Sequence, residues 1–124
     1  MRIRSLLCSA TAALLASCTP FGACTLIGCE DGLSVRFSRP PVGAFVLVAT
    51  VPNDPAIVAI DCADAASCPL MFPGLVAEQV TLRLTTAEGT ITQQFQPRYE
   101  EAYPNGRRCG PACRQATVTL QLPA

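Results

Sequence analysis

The chain has 124 residues, half of them hydrophobic, with eight cysteines, eleven prolines and no histidine, lysine or tryptophan. Nine arginines balance nine carboxylates, so the chain lacks the basic excess that is typical of a nucleic-acid-binding domain. The absence of histidine removes the Ser-His-Asp and Cys-His pairs that activate most nucleophiles, and nothing in the composition indicates a cofactor.

Residues 1–17 have the layout of a secretory signal. Arg2 and Arg4 form a short positive region, and the apolar run Leu6–Leu15 follows it. That run is too short to span a hydrocarbon layer of about 30 Å. A conventional signal peptidase would need small residues before its cut. The sequence offers Ala10-Thr11-Ala12, which lies too early to leave a working apolar run, or Phe21-Gly22-Ala23, which places a bulky ring at the cut. A buried N-terminal helix is the remaining alternative.

The stretch Leu15-Ala16-Ser17-Cys18 resembles the lipobox of bacterial lipoproteins. The resemblance implies removal of residues 1–17, lipidation of the Cys18 sulfur and partnership with a lipid bilayer. Two or three acyl chains hold a protein firmly, whereas one chain holds it marginally. Thr19, in place of the aspartate that commonly signals inner-membrane retention, favours the outer membrane of a Gram-negative cell, and in other bacteria we expect the cell membrane.

Six cysteines follow Cys18, as expected for disulfides in a small exported domain. Their spacing forms three close pairs, so we expect Cys24–Cys29, Cys62–Cys68 and Cys109–Cys113. The main alternative joins Cys29 to Cys113 across the two chain ends. Thiolate ligation of zinc by the last two pairs is disfavoured, because the C-x2-C spacing of zinc knuckles is missing and the exported compartment is oxidising. We therefore predict no metal site.

The hydrophobic pattern predicts strands separated by turns. Residues 18–32 are expected to form the lipidated N-terminus and a tether, and residues 33–124 the folded domain. Leu33–Phe37 alternates apolar and polar residues, as a strand with one buried face does. Ala44–Val51 is almost wholly apolar and predicts a central strand covered on both faces, with Ile57–Ile60 returning antiparallel to it.

The second half of the domain contains the clearer signals. Val80–Thr85 and Thr90–Gln96 alternate around a turn and predict a β-hairpin, while Thr117–Leu122 predicts the last strand. Leu70–Phe72 is expected to plug one end of the core, and Pro97–Cys113 to be a long structureless connection. About six strands without a helix predict an all-β fold, a small antiparallel two-sheet sandwich of immunoglobulin-like or transthyretin-like type.

The end of the chain adds a second, weaker resemblance. Tyr103–Gly106, Cys109–Cys113 and Ala116–Leu120 are similar to the ending of small, cysteine-containing β-sandwich envelope lipoproteins that are uncharacterised. This likeness implies no activity.

The long connection carries the candidate binding residues, which are Arg98, Tyr99, Tyr103, Arg107 and Arg108. Tyrosine and arginine are enriched at interface hot spots, so a recognition loop is one interpretation. The other is that both tyrosines lie flat on the sandwich and close its edge. The carboxylate pairs Asp61 with Asp64 and Glu100 with Glu101 show no pattern of a catalytic cleft, and no catalytic residue is predicted.

The sequence thus favours a non-enzymatic, membrane-anchored envelope lipoprotein with a structural or binding role. Any envelope protein partner is unspecified. The alternative is an accessory or inhibitor of an envelope enzyme that acts through the Pro97–Cys113 loop.

Overall fold

The computed structural model describes Cys24 and residues 26–123. The predicted signal peptide, the lipobox and Cys18 lie outside the described residues. Within the described part, no segment forms a helix, so none offers a helix long and apolar enough to cross a bilayer.

Eight strands form two four-stranded sheets that pack face to face. They are β1 (Gly32–Phe37), β2 (Phe45–Thr50), β3 (Ile57–Cys62), β4 (Met71–Pro73), β5 (Val80–Thr86), β6 (Gly89–Phe95), β7 (Glu100–Ala102) and β8 (Cys113–Leu120). The first sheet has the order β4-β1-β8-β7 and the second the order β3-β2-β5-β6. This is the all-β, two-sheet sandwich that the sequence predicts.

Alternating residues of both sheets fill the space between them. Leu33 and Val35 of β1 face the core from the first sheet, and Leu47 of β2 and Leu82 of β5 meet them from the second. Because side chains of a strand point alternately to its two faces, the period-two pattern predicts which residues are buried. Phe72 is fully buried, but it belongs to β4, which pairs with β1. The prediction of a loop plug at Leu70–Phe72 is therefore corrected to a short edge strand.

Strand β2 is central, as predicted, since it pairs antiparallel with both β3 and β5. Its second face is not covered. Phe45, Leu47 and Ala49 are buried, whereas Val46 and Val48 are only half-buried on the outer side. The continuous apolar run predicted two covered faces, and that prediction is wrong because no described segment packs outside the second sheet.

Five of the six strand pairings among the described residues are antiparallel, but β1 and β8 pair in parallel, from Gly32 opposite Gln115 to Phe37 opposite Leu120. Both strands therefore start at the same end of the molecule. The segment before β1 and the segment before β8 must meet there. The latter contains β7, whose residue Ala102 pairs with Cys113, so the prediction of a wholly structureless connection is also corrected.

Candidate functional site

The two segments that meet at the start of β1 and β8 are joined by disulfides and hydrogen bonds. We call Cys24 with residues 26–31 the N-terminal arm. The arm together with residues 103–113 is the disulfide-linked end. The parallel pairing of β1 with β8 brings these segments together although they are far apart in the sequence.

Two disulfides cross between them. Cys24 bonds to Cys109 and Cys29 bonds to Cys113, over sequence separations of 85 and 84. The predicted local pairs Cys24–Cys29 and Cys109–Cys113 are wrong, and the long-range alternative Cys29–Cys113 is the one observed. Parallel strands that start side by side place each cysteine of the arm opposite one of the connection, with Cα atoms 5.7 Å and 5.6 Å apart. Cys62–Cys68 forms as predicted.

Hydrogen bonds add to these covalent links. The Asn105 side-chain carbonyl accepts from the Ile27 N–H at 2.9 Å, and its amide donates to the Ile27 carbonyl at 2.8 Å. The Asp31 carboxylate accepts from the Arg114 N–H at 2.7 Å. The tether that the sequence predicts before residue 33 is thus, over its described part, a segment fixed to the sandwich.

Tyr99 belongs to the sandwich rather than to an open loop. Its ring packs against the core, and its hydroxyl accepts a hydrogen bond from the Ala77 N–H at 3.1 Å. The Arg114 guanidinium lies over the ring, 5.6 Å from its centroid. These contacts match the interpretation in which a tyrosine closes the edge of the sandwich.

Tyr103 has more polar surroundings. Its hydroxyl donates a hydrogen bond to the Glu101 carboxylate, and the Arg107 guanidinium lies 5.3 Å from the ring centroid. The hydrogen bond to Glu101 raises the pKa of Tyr103, because loss of the proton would leave two negative groups in contact.

The five predicted binding residues have different surroundings. Arg98 lines an open depression of about 410 Å³ beside Glu100, Glu101 and Gln115 on the face of β7 and β8. Arg107 stands with Tyr103, and both Arg107 and Arg108 are exposed at the disulfide-linked end. Tyr99 is engaged with the sandwich.

Two apolar side chains of the arm are turned to solvent. Leu26 is 99% exposed and Ile27 is 53% exposed. Sequence reasoning did not single out either residue, and it also missed Asn105, although the Asn105-Gly106 pair is a turn signal. The turn is present, since the Tyr103 carbonyl accepts from the Gly106 N–H at 2.9 Å. The Asn-Gly pair predicts the turn, but its link to Ile27 is not a local signal.

Of the paired carboxylates, Asp64 is engaged by Ser67 of the same loop. Asp64 accepts hydrogen bonds from the hydroxyl and the N–H of Ser67, and these bonds hold its pKa below the ordinary value. A general acid at neutral pH needs the opposite shift. An open depression of about 650 Å³ has Glu78 as its one carboxylate. Among residues 26–123 and Cys24, no three histidine, cysteine or carboxylate side chains are grouped to hold a metal ion.

Comparisons of the chain with protein-family models, with curated proteins and with solved structures found no significant match.

Proposed function

We propose that the chain is an exported bacterial envelope lipoprotein, held in a membrane through acylated Cys18, with a non-enzymatic structural or binding role. The lipobox-like Leu15-Ala16-Ser17-Cys18 sequence motivates the anchor. Export would place the domain where thiols are oxidised.

The observation that carries the proposal is the pairing of all six described cysteines. Three disulfides are typical of a small domain outside the reducing cytosol. Because those six cysteines pair among themselves, none of them is left to form a disulfide with Cys18. Cys8, the only other cysteine, would leave with residues 1–17.

The described residues favour the non-enzymatic role over the inhibitor alternative. An inhibitory loop would present its aromatic side chains to the target enzyme. Tyr99 instead packs against the core, with its hydroxyl bound to the Ala77 N–H. The exposed part of the long connection, with Tyr103 and Arg107, remains as a contact surface for an envelope protein partner.

The anchor is tested by comparing two cysteine substitutions. The Cys18→Ser variant should accumulate as the longer precursor without acyl mass, whereas Cys8→Ser should be processed and acylated like the wild type. Mass spectrometry of the N-terminal peptide and fractionation of membranes give the readout. An unmodified N-terminus at any other residue of the wild-type protein would overturn the proposal.

A further inference from the structure

We infer that the disulfide-linked end lies flat against the bilayer, with Leu26 and Ile27 inserted between the lipid headgroups and the ends of the acyl chains. This inference rests on the proposed anchoring through Cys18. It goes further by assigning a membrane-binding surface and an orientation to the folded domain.

The first support is the exposure of the two side chains. Leu26 is 99% exposed and Ile27 is 53% exposed, and they are adjacent in the chain. Single exposed apolar residues are common on proteins and need no explanation. Here the pair stands on the part of the described structure that is nearest in sequence to the anchoring cysteine.

The second support is the length of chain between the anchor and the fold. Five residues lie between Cys18 and Cys24, and the six residue steps of a fully extended chain over that distance reach about 20 Å at most. Cys24 is bonded to Cys109 at the disulfide-linked end. A short linker attached at this point keeps the disulfide-linked end, rather than the opposite end of the domain, next to the membrane.

The third support is that the arm cannot swing away from the sandwich. Ile27 is held through its backbone by Asn105, and Cys24 and Cys29 are bonded on either side of it. A segment whose backbone is already fixed loses little further freedom when its side chains enter the interface. The apolar pair is thus presented in a preorganised form.

The surrounding groups suit an interfacial position. Tyr103 is half-buried with a polar tip, and tyrosine is enriched at the boundary between lipid and water. Exposed Arg107 and Arg108 can reach lipid phosphates, while Glu30 and Glu101 oppose them. Because charges of both signs occur here, the contact should depend on apolar burial and should change little with salt.

The experiment uses the absence of tryptophan from the chain. Leu26→Trp places a single fluorophore on the arm. Val42→Trp is the matched control: Val42 is also well exposed, at 73%, but it follows the far end of β1, about 20 Å from the arm. Each variant is purified from membranes as the mature, acylated protein and reconstituted into phosphatidylcholine vesicles with and without bromine on the upper acyl carbons.

We expect Trp emission of the Leu26→Trp variant to be blue-shifted and quenched by the brominated lipid at least about twofold more than that of the control. Equal quenching of the two variants overturns the inference. A blue shift without bromine quenching also overturns it, since the arm would then be covered by protein. If the wild-type protein carries no acyl chain and does not float with vesicles, the anchor and the docking surface both fail. If it floats while position 26 is not quenched, only the docking surface fails.

Discussion

The side-chain amide of Asn105 binds the backbone of Ile27 through two hydrogen bonds, at 2.9 Å and 2.8 Å, across 78 residues of sequence. The arrangement resembles one rung of a β-ladder made by a side chain. It provides hydrogen-bond partners for the backbone N–H and carbonyl of Ile27, which belongs to no strand and lies between the two disulfide-bonded cysteines of the arm. The N-terminal arm is therefore part of the fold.

Substitution of Asn105 tests that relationship. Asn105→Ala removes both bonds to Ile27, so we expect a loss of about 1–2 kcal/mol in the free energy of unfolding and faster hydrogen exchange at the Ile27 amide. Asn105→Asp keeps an acceptor for that amide and should protect it better than alanine does. Hydrogen exchange of the Ile27 amide that is the same in all three proteins would contradict the assignment.

The two crossing disulfides should be energetically coupled. When one is intact, the other closes a ring of only about ten residues, so removal of either pair alone should cost about 3 kcal/mol. Removal of both also opens the loop of about 85 residues, and the combined cost should rise to about 7 kcal/mol, more than the two single costs together. Denaturant unfolding of the Cys24/Cys109, the Cys29/Cys113 and the fourfold serine variants measures this.

Peptide mapping without reduction supplies the control for that series. The wild-type protein should give peptides joining Cys24 to Cys109, Cys29 to Cys113 and Cys62 to Cys68. The Cys62/Cys68 serine variant removes a loop of only 6 residues, and its cost should add independently to the others, because that pair lies outside the disulfide-linked end. Recovery of the local Cys109–Cys113 pair would refute the pairing and the coupling together.

The difference between what the sequence predicts and what it misses follows from the range of the interactions. The alternation in Val80–Thr86 and Gly89–Phe95 is a property of neighbouring residues, and both strands form where the pattern predicts them. Parallel pairing of β1 with β8 depends on contacts across the whole domain. The pairing of the cysteines depends on it in turn, so inference from spacing alone failed there.

The candidate site shows the same difference between local patterns, which the sequence reveals, and long-range contacts, which it does not. Composition identified tyrosines and arginines in the long connection, but only the fold separates Tyr99, packed on the core, from Tyr103, bound to Glu101. Leu26 and Ile27 gave no signal, because two apolar residues in a short loop predict nothing about which way they face.

The hydroxyls of Tyr99 and Tyr103 should contribute differently to the free energy of unfolding. Tyr99→Phe leaves the partly buried Ala77 N–H without its acceptor and should lower the free energy of unfolding by about 1 kcal/mol. Tyr103→Phe loses an exposed bond to Glu101 and serves as the matched control, with little expected change. The two variants are compared by the midpoints of their denaturant unfolding curves, with the dependence of the unfolding free energy on denaturant concentration unchanged. Equal effects would show that Tyr99 does not close the sandwich edge.

The loop between β3 and β4 makes a prediction about acid pH. Ser67 lowers the pKa of Asp64, first through its hydroxyl and then through its N–H. A depressed carboxyl pKa contributes stability that is present above the unfolded-state pKa and is lost as the pH falls through the folded-state pKa. Ser67→Ala should raise the pKa of Asp64 towards its ordinary value and weaken this acid-side dependence. NMR titration of the carboxyl carbon measures it, and Ser34→Ala, on β1, should leave the Asp64 pKa unchanged.

Tyr103 makes the corresponding prediction at alkaline pH, with two substitutions that act in opposite directions. The hydrogen bond to Glu101 raises the pKa of Tyr103, whereas the nearby charge of Arg107 lowers it. Glu101→Gln should therefore bring the pKa down towards its ordinary value, and Arg107→Gln should move it further up. A raised tyrosine pKa contributes stability that is full below the unfolded-state pKa and is lost as the pH rises through the folded-state pKa, so Glu101→Gln should reduce that alkaline loss.

Phenolate absorbance in a Tyr99→Phe background isolates Tyr103, since the chain has two tyrosines and no tryptophan. Shifts of the same sign in both variants would refute the contacts assigned to Tyr103.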